Sequence, residues 1–138
     1  ATGGQGVTSR ARRKADNALV VLKESFCDSS KAGNSALQEA KTLESLKHPQ
    51  VIRYEDVFLS EKKGSLVVCT VMEYCDGGDL ARYMIALKKH SIPIPPKRVV
   101  GWARQLASAV AYLHGNRVLH RDMKPQNVFM ATEDSLRV

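Results

Sequence analysis

The sequence is poor in the residues that would make it an extracellular, metal-centred or membrane-spanning protein. Its three cysteines, Cys27, Cys69 and Cys75, are odd in number, far apart and form no Cys-x-x-Cys pair. Neither a disulfide framework nor a zinc site is signalled, and three reduced thiols are expected. No stretch approaches the roughly 18 consecutive apolar residues that a membrane span needs. The first residues, ATGGQGVTSRARRK, lack the apolar core of a signal peptide. A cytoplasmic protein with no membrane partner is the expectation. Acidic residues are outnumbered, 14 against 21 basic, which leaves a net charge of +7. Much of the excess sits in Arg10, Arg12, Arg13 and Lys14. No aromatic residue interleaves them and no nucleic-acid module follows, so a solvated hairpin face is expected and no nucleic-acid partner. None of the four histidines, His48, His90, His114 and His120, has metal-ligand spacing, and no internal repeat or low-complexity segment stands out.

What remains is the length of one domain: 138 residues, 43% hydrophobic and 25% charged. Ala18–Leu22 is a short, β-branched apolar run fit for a buried strand. A polar loop through Asp28-Ser29-Ser30 leads to a helical pattern over 35–47, with Leu37, Ala40, Leu43 and Leu46 on one face and His48-Pro49 ending it. Two strands, 51–59 and 66–72, flank a turn at Lys62-Lys63-Gly64-Ser65. Asp76-Gly77-Gly78 breaks the chain and marks a hinge. Residues 79–90 fit a helix with Asp79 at its start. After the stiff Pro93, Pro95, Pro96 connector, the spacing predicts a helix over 97–114. That helix carries Val99, Ala103, Leu106, Val110 and Leu113 on one face, Trp102 and Tyr112 off it, and Gly115-Asn116 as its stop. Val128–Met130 and Leu136–Val138 flank a hairpin turn at Thr132-Glu133-Asp134-Ser135. The order of elements is α+β.

The chemistry is concentrated in His120-Arg121-Asp122-Met123-Lys124-Pro125-Gln126-Asn127. A carboxylate, Asp122, can accept a proton from an attacking hydroxyl. An ammonium, Lys124, can offset growing negative charge. A neutral amide oxygen, Asn127, can ligate Mg²⁺. This stretch matches H-R-D-x-K-x-x-N at every defined position, and the chain here resembles the eukaryotic protein kinases.

The rest of the chain extends that resemblance. Val20-Val21-Leu22-Lys23 resembles the V-A-I-K strand, and by the resemblance Lys23 contacts ATP phosphates and is held by Glu39 on the following helix. Counting back from Lys23 makes Gly6 and Gly3 glycines of the phosphate loop, whose backbone N–H groups must approach phosphate oxygens. Ala1 stands where a glycine is expected, and Thr8 where a valine usually roofs the adenine. Met72-Glu73-Tyr74-Cys75-Asp76-Gly77-Gly78-Asp79-Leu80 resembles the kinase hinge. That implies Met72 as gatekeeper, Glu73 and Cys75 as backbone partners of the adenine, and Asp79 facing the ribose.

Lys124 favours a Ser/Thr enzyme. The hinge wording, Lys23-Glu24, Lys47-His48-Pro49 and Gln126-Asn127-Val128-Phe129 look most like NIMA-related kinases. The resemblance implies a bilobal kinase fold: a β-rich N-lobe with one key helix over 1–75, then the first part of a helical C-lobe over 76–138. It also implies ATP and Mg²⁺ as cofactors and protein Ser/Thr hydroxyls as substrates. Through the NIMA-related subfamily it implies a microtubule, centrosome or ciliary setting. An Asp-Phe-Gly stretch is expected within a few residues past Val138, so the present chain alone is expected to be inactive. An inactive kinase-like scaffold acting through protein binding is the alternative, to which Ala1 and Thr8 lend room.

Overall fold

The structure, a computed structural model, describes residues 6–138; Ala1 and Gly3 lie outside the described residues. The chain forms two compact units, one of the residues through Lys47 with Arg53–Tyr74, the other of His48–Ile52 with Cys75–Val138.

The first unit is a four-stranded antiparallel sheet with one helix. Strands β1 (Gly6–Arg12), β2 (Leu19–Cys27), β3 (Tyr54–Lys62) and β4 (Ser65–Glu73) lie in the order β1-β2-β4-β3, and α1 spans Ser30–Glu44. The central strands carry the apolar, β-branched residues, and Val20, Val67, Val68 and Cys69 are buried. A two-residue turn joins β3 to β4, with Lys63 at φ 53° and Gly64 at φ 76°. Such a left-handed pair matches the twist of the strands it connects. Helix α1 starts five residues before the apolar spacing indicates, because Ser29 caps it: its Oγ accepts from the Ala32 N–H at 3.2 Å. Alternation along β2 buries Glu24, whose carboxylate pairs with Lys62 at the far end of β3. The basic hairpin finds partners both within itself and on neighbouring strands of its unit. Arg13 pairs with Asp16 and Glu55, Arg12 donates to the Asn17 carbonyl, and Arg10 lies 6.0 Å over the Tyr74 ring.

The second unit holds α2 (Leu80–Lys89), α3 (Pro96–Gly115), a single 3₁₀ turn at Pro125–Asn127 and a hairpin of β5 (Phe129–Thr132) and β6 (Ser135–Arg137). Pro96 opens α3 without a side-chain cap, its ring already set for the first turn. Helix α3 shows which part of an amphipathic face is covered. Trp102, Ala109 and Leu113 are buried, whereas Val99 on the expected stripe is 48% exposed and Ala103 is exposed. The covered face is turned towards the β5–β6 hairpin, where the Glu133 carbonyl accepts the Trp102 indole N–H. Gly115 remains helical. The helix stops at Arg117, left-handed at φ 59°, with the Val118 N–H returning to the Leu113 carbonyl.

The hairpin is the centre of this unit. Met130 and Leu136 face each other across it and are fully buried. Leu80 N–H donates to the Val128 carbonyl, Gly77 N–H to Met130, Met130 N–H to Gly78, and Val138 N–H to Gln50. His48 stacks on Tyr112 of α3 at 4.8 Å, and its Nε2 lies 3.2 Å from Ser108 Oγ. Among the described residues, no helix is long and apolar enough to cross a membrane.

Candidate active site

Residues 118–124 leave α3 without regular structure, and Arg121 adopts φ 63°. Pro125 then starts the 3₁₀ turn, which brings Asn127 back onto Asp122. Asn127 Nδ2 donates to the Asp122 backbone carbonyl at 2.9 Å and to its carboxylate Oδ2 at 2.7 Å. Lys124 Nζ sits 2.8 Å from the same Oδ2. The Asp122 N–H points at His120 Nδ1, 3.4 Å away. The three side chains singled out for phosphoryl chemistry therefore form one cluster, open to solvent.

The hydrogen bond from Lys124, then that from Asn127, holds the Asp122 carboxyl below the usual carboxylate range. A depressed folded-state pKa contributes stability that is present at neutral pH and lost as pH falls through that lowered value. The same reasoning sets the acidic limb of any reaction that needs Asp122 ionised. Lys124→Met moves that limb to higher pH, read as the lower inflection of kcat/KM against pH. An unmoved inflection is evidence against Asp122 as the titrating base.

In the first unit, Gly6 pairs with Ser25 and Thr8 with Lys23. A Cβ on Gly6 would come within 3.3 Å of the Glu24 carbonyl and 4.0 Å of Lys23 Cε. Gly6 and the exposed Lys23 side chain are thus neighbours. Glu39 is exposed on α1, and among the described residues no ion pair joins it to Lys23. Its charge acts on Tyr54, whose phenol is pushed up first by burial and then by Glu39. Met72 and Glu73 end β4, opposite Val21 and Val20. Glu73 takes the Arg53 N–H on Oε1 and gives its own N–H to the Arg53 carbonyl. In the second unit, the Cys75 carbonyl accepts the Gly78 N–H at 3.2 Å, closing the Asp76-Gly77-Gly78 turn. Asp79 is the N-cap of α2: Oδ1 takes the Arg82 N–H at 2.9 Å and Oδ2 pairs with Arg82 Nε at 3.2 Å.

The donor set suits Mg²⁺ at one point of attachment. With its nitrogen committed to Asp122, Asn127 has its amide oxygen left to give, and a hard cation takes oxygen donors. Among the described residues no three His, Cys, Asp or Glu side chains gather as a metal cage.

Three residues that matter to this unit belong to no motif. Arg98, Trp102 and Gln105 look like ordinary members of an amphipathic helix, yet all three bond to the β5–β6 turn. Their spacing of four and three residues was the available hint.

The second unit gathers Asp122, Lys124 and Asn127 on one loop, and the first is a four-stranded antiparallel sheet with one helix. A family model of the protein kinase domain matches residues 2–138, and the chain belongs to that family. Among curated relatives, Serine/threonine-protein kinase Nek4 of Mus musculus is 35% identical over 99% of the chain, and Serine/threonine-protein kinase Nek2 of Homo sapiens is 34% identical over 99%. Serine/threonine-protein kinase ATG1c of Arabidopsis thaliana is 34% identical over 97%. The chain spans 17%, 32% and 18% of the lengths of these three proteins.

Proposed function

We propose that the protein transfers the γ-phosphoryl group of ATP to serine and threonine hydroxyls of other proteins, with Mg²⁺ as the partner ion. The observation that carries this is the Asp122–Lys124–Asn127 cluster, with bonds of 2.7 and 2.8 Å meeting on one carboxylate oxygen. Asp122, kept ionised, accepts the proton of the attacking hydroxyl. Lys124 supplies positive charge where negative charge grows on the phosphoryl oxygens. Asn127 offers its amide oxygen to the cation, which when bound neutralises charge between the phosphates. Gly6 and Lys23 supply a backbone free of side chain and an ammonium for the phosphates. Met72, Glu73, Cys75 and Asp79 are assigned to the nucleoside by family likeness, as is Gly3. Glu39 is assigned as the partner of Lys23 on the same basis.

The Ser/Thr preference is supported by Lys124 and by the printed names of the relatives. The relatives also support placement among the NIMA-related kinases. A cytoplasmic, cytoskeleton- or cilium-associated setting with microtubule or centrosomal partners is proposed on the sequence resemblance to that subfamily alone. Imaging the tagged intact protein checks this setting, and diffuse signal with no microtubule or centriole overlap tells against it.

The activity is tested by incubating the intact protein with γ-labelled ATP and mixed protein substrates, then analysing the phosphoamino acids. Label on serine and threonine is expected. ATP binding without transfer selects the scaffold reading, and label on tyrosine alone overturns the substrate class.

A further inference from the structure

We infer that Gln105 is a positioning residue for the Asn127 end of the catalytic loop, with Arg98 and Trp102 on the same helical stripe as its supports. The inference rests on the kinase reading of Asn127 and adds a residue outside the motif that carries that reading.

The three side chains lie at intervals of four and three along α3, so they share one face. Each meets the hairpin turn. Arg98 reaches Asp134 Oδ1 at 3.1 Å and Glu133 Oε2 at 3.4 Å, and also donates to Tyr83 Oη at 3.1 Å. Trp102 donates its indole N–H to the Glu133 carbonyl at 3.3 Å. Gln105 makes both of its bonds to backbone: Nε2 donates to the Asp134 carbonyl at 2.6 Å, and Oε1 accepts the Leu136 N–H at 2.8 Å. One amide thus gives the turn a donor and β6 an acceptor, as a neighbouring strand would. The Arg98 pairs involve carboxylates 71% and 79% exposed, where ion pairs contribute little. Leu136 is wholly buried, so its N–H has no solvent to turn to if Gln105 is lost.

From Leu136 the path to the site is short and rigid. Leu136 pairs with Met130 across the hairpin. Met130 is bonded at both N–H and carbonyl to the Gly77-Gly78 turn, and the Val128 carbonyl takes the Leu80 N–H. Asn127 precedes Val128 directly. Gln105 therefore holds β6, whose partner strand β5 begins two residues after the metal-facing amide, in the manner of outer groups that orient metal ligands.

The test compares wild type, Gln105→Met and Asn127→Ala in the intact protein. Backbone amide exchange, measured without nucleotide or metal, is expected to quicken in Gln105→Met at Leu136 and also through Asn127–Met130. The apparent Mg²⁺ requirement for turnover is expected to rise about tenfold, with KM for peptide unchanged. Faster exchange confined to residues 134–136 overturns the inference, as does an unchanged Mg²⁺ requirement beside a raised one in Asn127→Ala. If Asn127→Ala itself leaves the Mg²⁺ requirement unchanged, the kinase reading of Asn127 falls, and the exchange pattern still decides the coupling. Should Gln105→Met not fold, Gln105→Glu, which keeps the acceptor for Leu136 and loses the donor to the Asp134 carbonyl, is judged by exchange at Asn127–Met130 and by the Mg²⁺ requirement.

Discussion

Asp122→Asn is expected to slow phosphoryl transfer by roughly 10²–10⁴-fold, the usual scale for a lost general base. The substitution keeps the shape of the side chain and removes its charge and its capacity to take a proton. The cost to the fold is small, since the Asp122 side chain is 61% exposed and its ion pair with Lys124 lies at the surface. ATP affinity and melting temperature are therefore expected to stay near wild type while kcat falls. Steady-state turnover beside a nucleotide-binding titration separates these quantities. Turnover like that of wild type removes Asp122 from the chemistry, and a collapse of the fold shows that its role was structural.

The largest effect on stability is expected at Gly77. A Cβ there would lie 2.7 Å from both the Met130 carbonyl oxygen and Met130 Cβ, and the Gly77 N–H already donates to that carbonyl at 3.0 Å. Backbone cannot swing aside as the tip of a side chain can. Gly77→Ala must part the turn from β5, at an overpacking cost of about 1–3 kcal/mol. Gly78 has open space but a φ of +67°, so Gly78→Ala costs about 1–2 kcal/mol through conformation alone. Gly101, inside α3 with nothing near, makes the control: Gly101→Ala is expected to stabilise by about 0.5–1 kcal/mol. Denaturant midpoints for the three variants test the order, and a harmless Gly77→Ala contradicts the close approach.

The catalytic loop was legible because its chemistry demands particular functional groups at particular intervals. Asp122, Lys124 and Asn127 declare themselves as types before any fold is known. Strands and hairpins were legible through punctuation, such as Lys63-Gly64 and the Gly77-Gly78 pair. Other features depend on partners that sequence does not name. Glu24 follows Lys23 on a strand and gives no sign that Lys62 will reach it. Gln105 and Trp102 sit on a helix whose apolar period is satisfied by more than one edge. The edge covered was chosen by hydrogen bonds to a hairpin some thirty residues later. Ser29 looked like loop because capping begins before the apolar spacing does. Arg117 was hidden beside Gly115, the residue type that most often ends a helix.

The bonds joining Gln50 and Ile52 to Val138 tie a short early stretch of chain to the last residue of the second unit. Val138 must find partners some ninety residues earlier in the chain, and closing so wide a loop costs entropy that neighbouring contacts do not. Expressing residues 75–138 alone therefore leaves Val138 without its backbone partners.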